Sequence, residues 1–310
     1  MTARHPYYCQ GHETKISTDA DQTELNAVIT GSVPVVAGIQ DDDIADSLED
    51  HYAPRTTTNE APWQTRELAT ENAATQIMDE LMRRQKSLGD LYPFEIQGDS
   101  LTYKKSDSLL YEFLLCTCLS PNLTTGDFVK FPRLFERIAA RLTANSLGHN
   151  TGFSHIGAPS GRGNLKASVQ EAIEKSQELH WGPRFNLPDA GPHQGDQGVD
   201  FIIWRDFECG RKIGQQFYFG QCACGNNWET KLNDVSDYFM QWFEPLDVSP
   251  TSVFAIPFVI SDLKLSATSR QAGIVMDRLR LVRAAKKGSN FNTKEWRDCM
   301  SKTLDLVREA

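Results

Sequence analysis

The chain has 310 residues, 40% of them hydrophobic and 24% charged, with a formal net charge of −9. That composition excludes collagen, coiled coil and small disulfide-stapled scaffolds. The longest apolar runs, LLYEFLL and SVFAIPFVI, fall short of the roughly 18 residues a membrane-spanning helix needs, so no membrane partner is expected. At roughly 150 residues per domain, the length predicts about two domains.

The acidity is concentrated. Residues 1–60 hold eleven acids against three bases, a net of −8, whereas residues 261–310 hold eleven bases against six acids, a net of +5. An acidic whole therefore does not exclude a nucleic-acid partner, because phosphate is neutralised by local clusters of Lys and Arg. The start MTARHPYYCQGHETK has no long apolar run and predicts no secretory signal. The seven cysteines (Cys9, Cys116, Cys118, Cys209, Cys222, Cys224, Cys299) are odd in number and sparse, which points to a reducing, cytoplasmic setting.

Residues 1–60 read as an acidic, partly irregular arm docked through the apolar patch VPVVAGI at 33–39, with DDDIADSLED as its linker. A mainly helical region follows over 61–124. Leu68, Ala73, Ile77 and Leu81 make a helical stripe within 65–86, YPFEI and LTYKK flank a QGDS turn as a hairpin, and 108–119 has helical spacing. Over 131–147, Leu134, Phe135, Ile138, Ala139 and Leu142 define a strong amphipathic helix stopped by Gly148. A second helix is expected over 164–179, and then a loop rich in Gly, Pro and Asp leads into strand 199–204. Strand 216–223, a helix over 228–243, strand 253–260 and a further strand over 273–282 complete the pattern. Helices around central apolar strands predict an α/β core over 125–285. The tail 286–310 carries a basic amphipathic helix.

One constellation carries chemistry. Asp200 opens an apolar strand in GDQGVDFIIW, and the next strand ends in FGQCACG, where Gln221 and Ala223 share a face. A carboxylate at one strand start beside polar groups at the neighbouring strand end places hard oxygen donors together, the donor type that suits a divalent cation. These residues resemble the PD-(D/E)XK nuclease superfamily, the restriction endonuclease-like enzymes. Its pattern has Asp on one strand, Glu or Gln-x-Lys on the next, and often a Glu on the first core helix. Asp200, Gln221 and Glu136 (in LFERIAARL) match those positions, and the segment from GDQGVDFIIW to FGQCACGNNWETKL also resembles bacterial proteins associated with this fold. The resemblance covers about half the chain, 125–285. It implies a PD-(D/E)XK-like core of helix, central mixed sheet and flanking helices. It also implies Mg²⁺ (or Mn²⁺) held by Asp200, Gln221 and Glu136, and cleavage of phosphodiester bonds, with DNA as substrate, in a bacterial defence or restriction setting. The family's lysine position is Ala223 here. Some members move that lysine to the following helix, where Lys231 stands in this chain; a cation there would stabilise developing negative charge.

Plainer readings stand beside these. Asp200 also fits a loop cap or a partner for Arg205, Gln221 a strand-end amide, and Glu136 and Lys231 solvated surface residues. Asp196 reads as a turn former and backup ligand. The two C-x-C pairs sit in apolar contexts and read as buried small hydrophobes rather than a zinc site. Cys9 and His12 are too few for one. GAPSGRG lacks the G-K-[ST] of a phosphate loop. RLRLVRAAKK at 278–287 reads equally as a phosphate track or a solvated strand. With so little net basic charge, holding DNA calls for the basic C-terminal region, a protein partner or a homo-oligomer. The alternative to an enzyme is a catalytically inactive nuclease-fold subunit that binds or assembles.

Overall fold

A computed structural model describes residues 15–38, 62–120, 123, 126–156, 165–179, 181–182, 198–225, 227–232, 244, 246–285 and 293–309. The linker at 41–60, the glycines at 157–163, Cys9, His12 and Asp196 lie outside them. In chain order the elements begin α1 (Lys15–Thr30), β1 (Ser32–Pro34), α2 (Pro62–Leu88), β2 (Phe94–Gln97), β3 (Ser100–Tyr103) and α3 (Leu110–Leu119). There follow α4 (Lys130–Leu147), β4 (Thr151–His155), α5 (Leu165–Ser176), β5 (Phe201–Arg205) and β6 (Gln216–Cys222). Then come β7 (Thr251–Ala255), α6 (Asp262–Ala272), β8 (Ile274–Met276), α7 (Arg278–Arg283) and α8 (Lys294–Glu309). The chain divides into two compact units, Met1–Pro121 with Asn290–Ala310, and Asn122–Ser289. The tail helix belongs to the first unit: Trp296 on α8 stacks on Phe113 of α3 at 4.4 Å, and the Ser120 and Thr303 hydroxyls meet at 2.9 Å.

In the first unit α1 is the element the rest surround, packing on α2, α3, α8, β1 and β3. Residues 17–27 are all buried, although most are polar. Within the arm expected to be partly irregular, residues 15–30 form a core helix. Its apolar residues follow no helical period. What holds it is ionic. The guanidinium of Arg84, fully buried on α2, lies 2.5 Å from Asp21, 3.1 Å from Glu24 and 2.8 Å from Glu80, and the Tyr92 and Tyr111 hydroxyls donate to Glu24 at 2.7 and 2.8 Å. Burial by itself opposes a charge on Arg84, but Glu24 and Asp21 outweigh it and hold the pKa well above the ordinary value. The expected hairpin forms as β2–β3, antiparallel, with β1 on the outer side of β3.

The second unit carries an α/β fold around a five-stranded mixed sheet in the order β4-β5-β6-β7-β8. The first two pairings are antiparallel and the last two parallel. α4 buries Phe131, Leu134, Phe135, Ile138 and Leu142, the expected stripe, and packs on β4, β5 and β6. Val169, Ala172 and Ile173 of α5 join Ile156, Ile202, Trp204, Phe217 and Phe219 in an apolar cluster. His155 bonds to α4 whereas Ile156 belongs to the α5 cluster, so the two helices cover opposite faces of the sheet. Both faces of β5 are buried, which is why FIIWR reads as a continuous apolar run. Two glycines make room for aromatic rings on their ladder partners. A Cβ at Gly152 would stand 2.3 Å from the Trp204 ring, and one at Gly220 would stand 2.0 Å from the Phe201 ring.

Two sequence expectations change here. The strand expected over 273–282 is β8 followed by α7, because Asp277 accepts a hydrogen bond from the Arg280 amide at 3.0 Å and caps a helix. Strand 253–260 pairs only to Ala255; Ile256 to Ile260 stay buried in a loop where Pro257 has no N–H to donate. Of the helix expected over 228–243, Trp228–Lys231 form a 3₁₀ turn, and residues 233–243 lie outside those described. β4 and α6 had no counterpart in the sequence reading. β4 is a short edge strand with an exposed Phe153, and α6 buries only Thr268 and Ala272, so neither shows a clear period.

Candidate functional site

The C-terminal ends of β4, β6, β7 and β8 and the start of β5 meet at one end of the sheet. For parallel strands, the carboxyl end is where open α/β sheets receive ligands. Asp200 stands there, 5% exposed, and three of its polar atoms bond to neighbouring segments of the sheet. Its amide donates to the Gly220 carbonyl at 2.8 Å, its carbonyl accepts from the Ile156 amide at 2.7 Å, and its Oδ2 accepts from the Cys222 amide at 2.6 Å. Gly220 is also the ladder partner of Phe201, so Asp200 and Phe201 together oppose one residue. Two against one is the arrangement of a β-bulge, which turns the extra residue's side chain out of the regular alternation. Here it turns the carboxylate onto the end of β6. The plainer reading, a pair with Arg205, fails: the ladder sets Arg205 opposite Gln216 at the far end of β5.

Gln221 is buried on β6, opposite Phe254 of β7, and is the residue immediately before the amide that Asp200 binds. Asp200 and Gln221 are thus brought together at adjacent strand ends. Ala223, at the family's lysine position, is buried, and its amide donates to the Ala255 carbonyl at 3.0 Å. Lys231 sits half-buried at the end of the 3₁₀ turn. That turn is pinned by Trp228, which is buried against Phe254 and Phe258; the Lys264 ammonium lies 5.5 Å from the centre of the Trp228 ring and also pairs with Glu229. Among the described residues Lys231 enters no ion pair, so its charge is not committed to a carboxylate.

Glu136 has a partner that the sequence did not disclose. Its Oε2 lies 3.2 Å from Nε2 of His155, both side chains 18% exposed. Glu136, expected as a metal ligand, sets its carboxylate against an imidazole on the α4-facing side of β4. His155 is on a strand, and its ladder partner is Phe201, next to Asp200. No sequence signal would have found it, because TGFSH has neither a β-branched run nor a clean alternation.

Among the described residues no group of three or more His, Cys, Asp or Glu side chains is arranged to hold a metal ion. Magnesium does not require such a cage, since it keeps several waters and is commonly held by one or two carboxylates together with substrate phosphates. The Asp200 carboxylate and the Gln221 amide oxygen are donors of the right hardness, on adjacent strand ends. They fit an ion completed by water and substrate, not a closed protein site. Of the C-x-C cysteines, Cys116, Cys118 and Cys224 are buried, as small hydrophobes would be, and Cys222 is half-buried. A groove of about 670 Å³, lined by Ile173, Leu179, Lys212 and Ile213, lies beside the β5–β6 hairpin at the opposite end of the sheet and includes none of the candidate residues.

No protein-family model matches the chain, and no curated protein or solved structure is significantly similar to it. The α/β class of the second unit rests on its own strand order and helices. Among the described residues, no helix is long and apolar enough to cross a membrane.

Proposed function

We infer that the chain is a metal-dependent nuclease of the PD-(D/E)XK type that hydrolyses phosphodiester bonds in DNA, with bacterial defence or restriction as its setting. The observation that carries this reading is the bulge that turns the Asp200 carboxylate onto the end of β6, one residue from Gln221. The order of strands supports it: after α4 come three antiparallel strands, with α5 inserted between the first and second, and then two parallel strands, and the aspartate opens the middle antiparallel strand. Asp200 and Gln221 would hold Mg²⁺ or Mn²⁺, which in such a site activates water and neutralises charge on the phosphate. Lys231, on a turn anchored by Trp228, supplies the cation that Ala223 does not, and stabilises the charge that develops on the phosphate oxygens. Glu136, the third expected ligand, stands beside His155 at the same end of the sheet. A second reading, an inactive nuclease-fold module that binds DNA without cutting it, is favoured by the buried alanine at the lysine position.

Supercoiled plasmid incubated with Mg²⁺ or Mn²⁺ separates the two. Nicking by the wild type that disappears in both Asp200→Ala and Lys231→Ala, and partly returns when Ala223→Lys is added to Lys231→Ala, supports the enzyme. Plasmid left intact by every protein, with DNA binding retained, replaces it with the binding module. Full cleavage by Lys231→Ala removes that lysine from the mechanism.

A further inference from the structure

We propose that the outward face of α4 is the DNA-docking surface of the second unit, with Lys130, Arg133, Arg137 and Arg141 gripping consecutive phosphates of one strand. The proposal rests on the nuclease reading for the identity of the polymer, and on its own geometry for the surface.

All four side chains are exposed. At 100° per residue they fall within an arc of roughly 80°, and at 1.5 Å rise they extend over roughly 16 Å of helix. One DNA strand advances roughly 3.4 Å per phosphate along its axis but winds as it rises, which sets consecutive phosphates roughly 7 Å apart, so the stripe matches a run of about three to four phosphates. The sequence of α4 contains one acid, Glu136, and that carboxylate is turned to His155 rather than to the stripe. The helix also points the right way. The Thr151 hydroxyl at the start of β4 donates to the Ala144 carbonyl at 2.8 Å, while Glu136 meets His155 at the end of β4. α4 therefore runs antiparallel to β4, and Lys130 and Arg133 continue past His155 toward the end of the sheet where Asp200 stands.

Two other basic segments, among the described residues, are partly buried or mixed with acids. Arg278 is fully buried, with its Nε donating to the Pro257 carbonyl at 2.9 Å, and Arg280 donates to the Val275 carbonyl at 2.7 Å. Arg278 is thereby removed from the phosphate track considered over 278–287, of which Lys286 and Lys287 lie outside the described residues. On α8, exposed Lys294, Arg297 and Arg308 alternate with exposed Glu295, Asp298 and Asp305, and Arg308 is paired with Asp305 at 3.0 Å. In a chain of net charge −9 the field at long range repels DNA, so an unmixed local stripe must supply the attraction.

The test is fluorescence polarisation of a labelled duplex of three helical turns, in EDTA so that binding is read without cleavage. It compares the full-length wild type, Arg133→Gln/Arg137→Gln/Arg141→Gln, the equal-charge control Lys294→Gln/Arg297→Gln/Lys302→Gln, and Asp200→Ala. Each phosphate contact contributes roughly 0.9 to the salt slope, so losing three flattens the fall in affinity between 50 and 200 mM salt by roughly 40-fold. That change in the stripe variant alone, with melting behaviour intact in all proteins, supports the proposal. Equal weakening in the control variant, unchanged binding in the stripe variant, or no binding by the wild type overturns it. Stripe-dependent binding without cleavage by the wild type upholds this surface and counts only against the nuclease reading. Stripe-independent binding with Asp200-dependent cleavage does the reverse.

Discussion

Replacing Asp200 by asparagine and by alanine separates the two jobs its carboxylate performs. Oδ2 accepts the Cys222 amide at 2.6 Å in a nearly buried position, so part of the role is structural. A hydrogen bond to a charged acceptor contributes about 1.5–3 kcal/mol and a neutral one about 1 kcal/mol. Asparagine can keep its amide oxygen on the Cys222 N–H, so Asp200→Asn should cost about 1 kcal/mol. Alanine leaves that N–H without this acceptor, and Asp200→Ala should cost about 2–3 kcal/mol. For a unit of this size that corresponds to a fall in Tm of about 3 °C for asparagine and about 6–9 °C for alanine. Plasmid nicking should nevertheless be lost equally in both, because an amide supplies the hydrogen bond but not the negative charge that binds the cation. Thermal melts and nicking assays on the same preparations check the two halves. An asparagine variant that nicks at the wild-type rate would reduce Asp200 to a strand-end cap and remove the metal from the proposal.

Three further outcomes are expected. Gly220→Ala places a methyl about 2.0 Å from the Phe201 ring and should cost at least about 1–3 kcal/mol; adding Phe201→Leu should return most of it, and a double-mutant cycle showing no coupling would contradict the packing described. Arg84→Met leaves Asp21 and Glu24 buried without their cation and should destabilise by about 3–5 kcal/mol in urea, with much of the loss recovered by adding Asp21→Asn and Glu24→Gln; a neutral single variant would show that the charges are not what holds α1. Glu112 accepts from Ser106 and Tyr103 but is pushed above the ordinary carboxylate range by burial, so the folded state favours its protonated form. Its contribution to stability is then complete below about pH 4.5 and is lost as pH rises through the raised value. Glu112→Gln should be more stable than the wild type above that range, by a margin that closes toward acid; a margin independent of pH would contradict it.

Much of the second unit was legible because its elements bury regular faces. Leu134, Phe135, Ile138 and Leu142 recur at helical spacing because α4 lies flat on the sheet, and FIIWR is apolar throughout because β5 is covered on both sides. Asp200 and Gln221 stood out for the same reason, as polar residues at the margins of apolar strands.

Elsewhere the folded chain decided what local pattern could not. The sequence alone determines that α4 carries three arginines at steps of four residues, because helix periodicity is a property of the segment itself. It does not determine that these face outward while Glu136 turns inward to His155. That requires β4, an edge strand whose own residues show no strand period. α1 was illegible for a related reason: a helix buried through ion pairs has no apolar stripe, and the partner that makes its acids tolerable, Arg84, lies some sixty residues away. The Asp200 bulge is the clearest case. Its carboxylate is aimed by two residues opposing one across the β5–β6 ladder, and such a count exists only once two strands have paired.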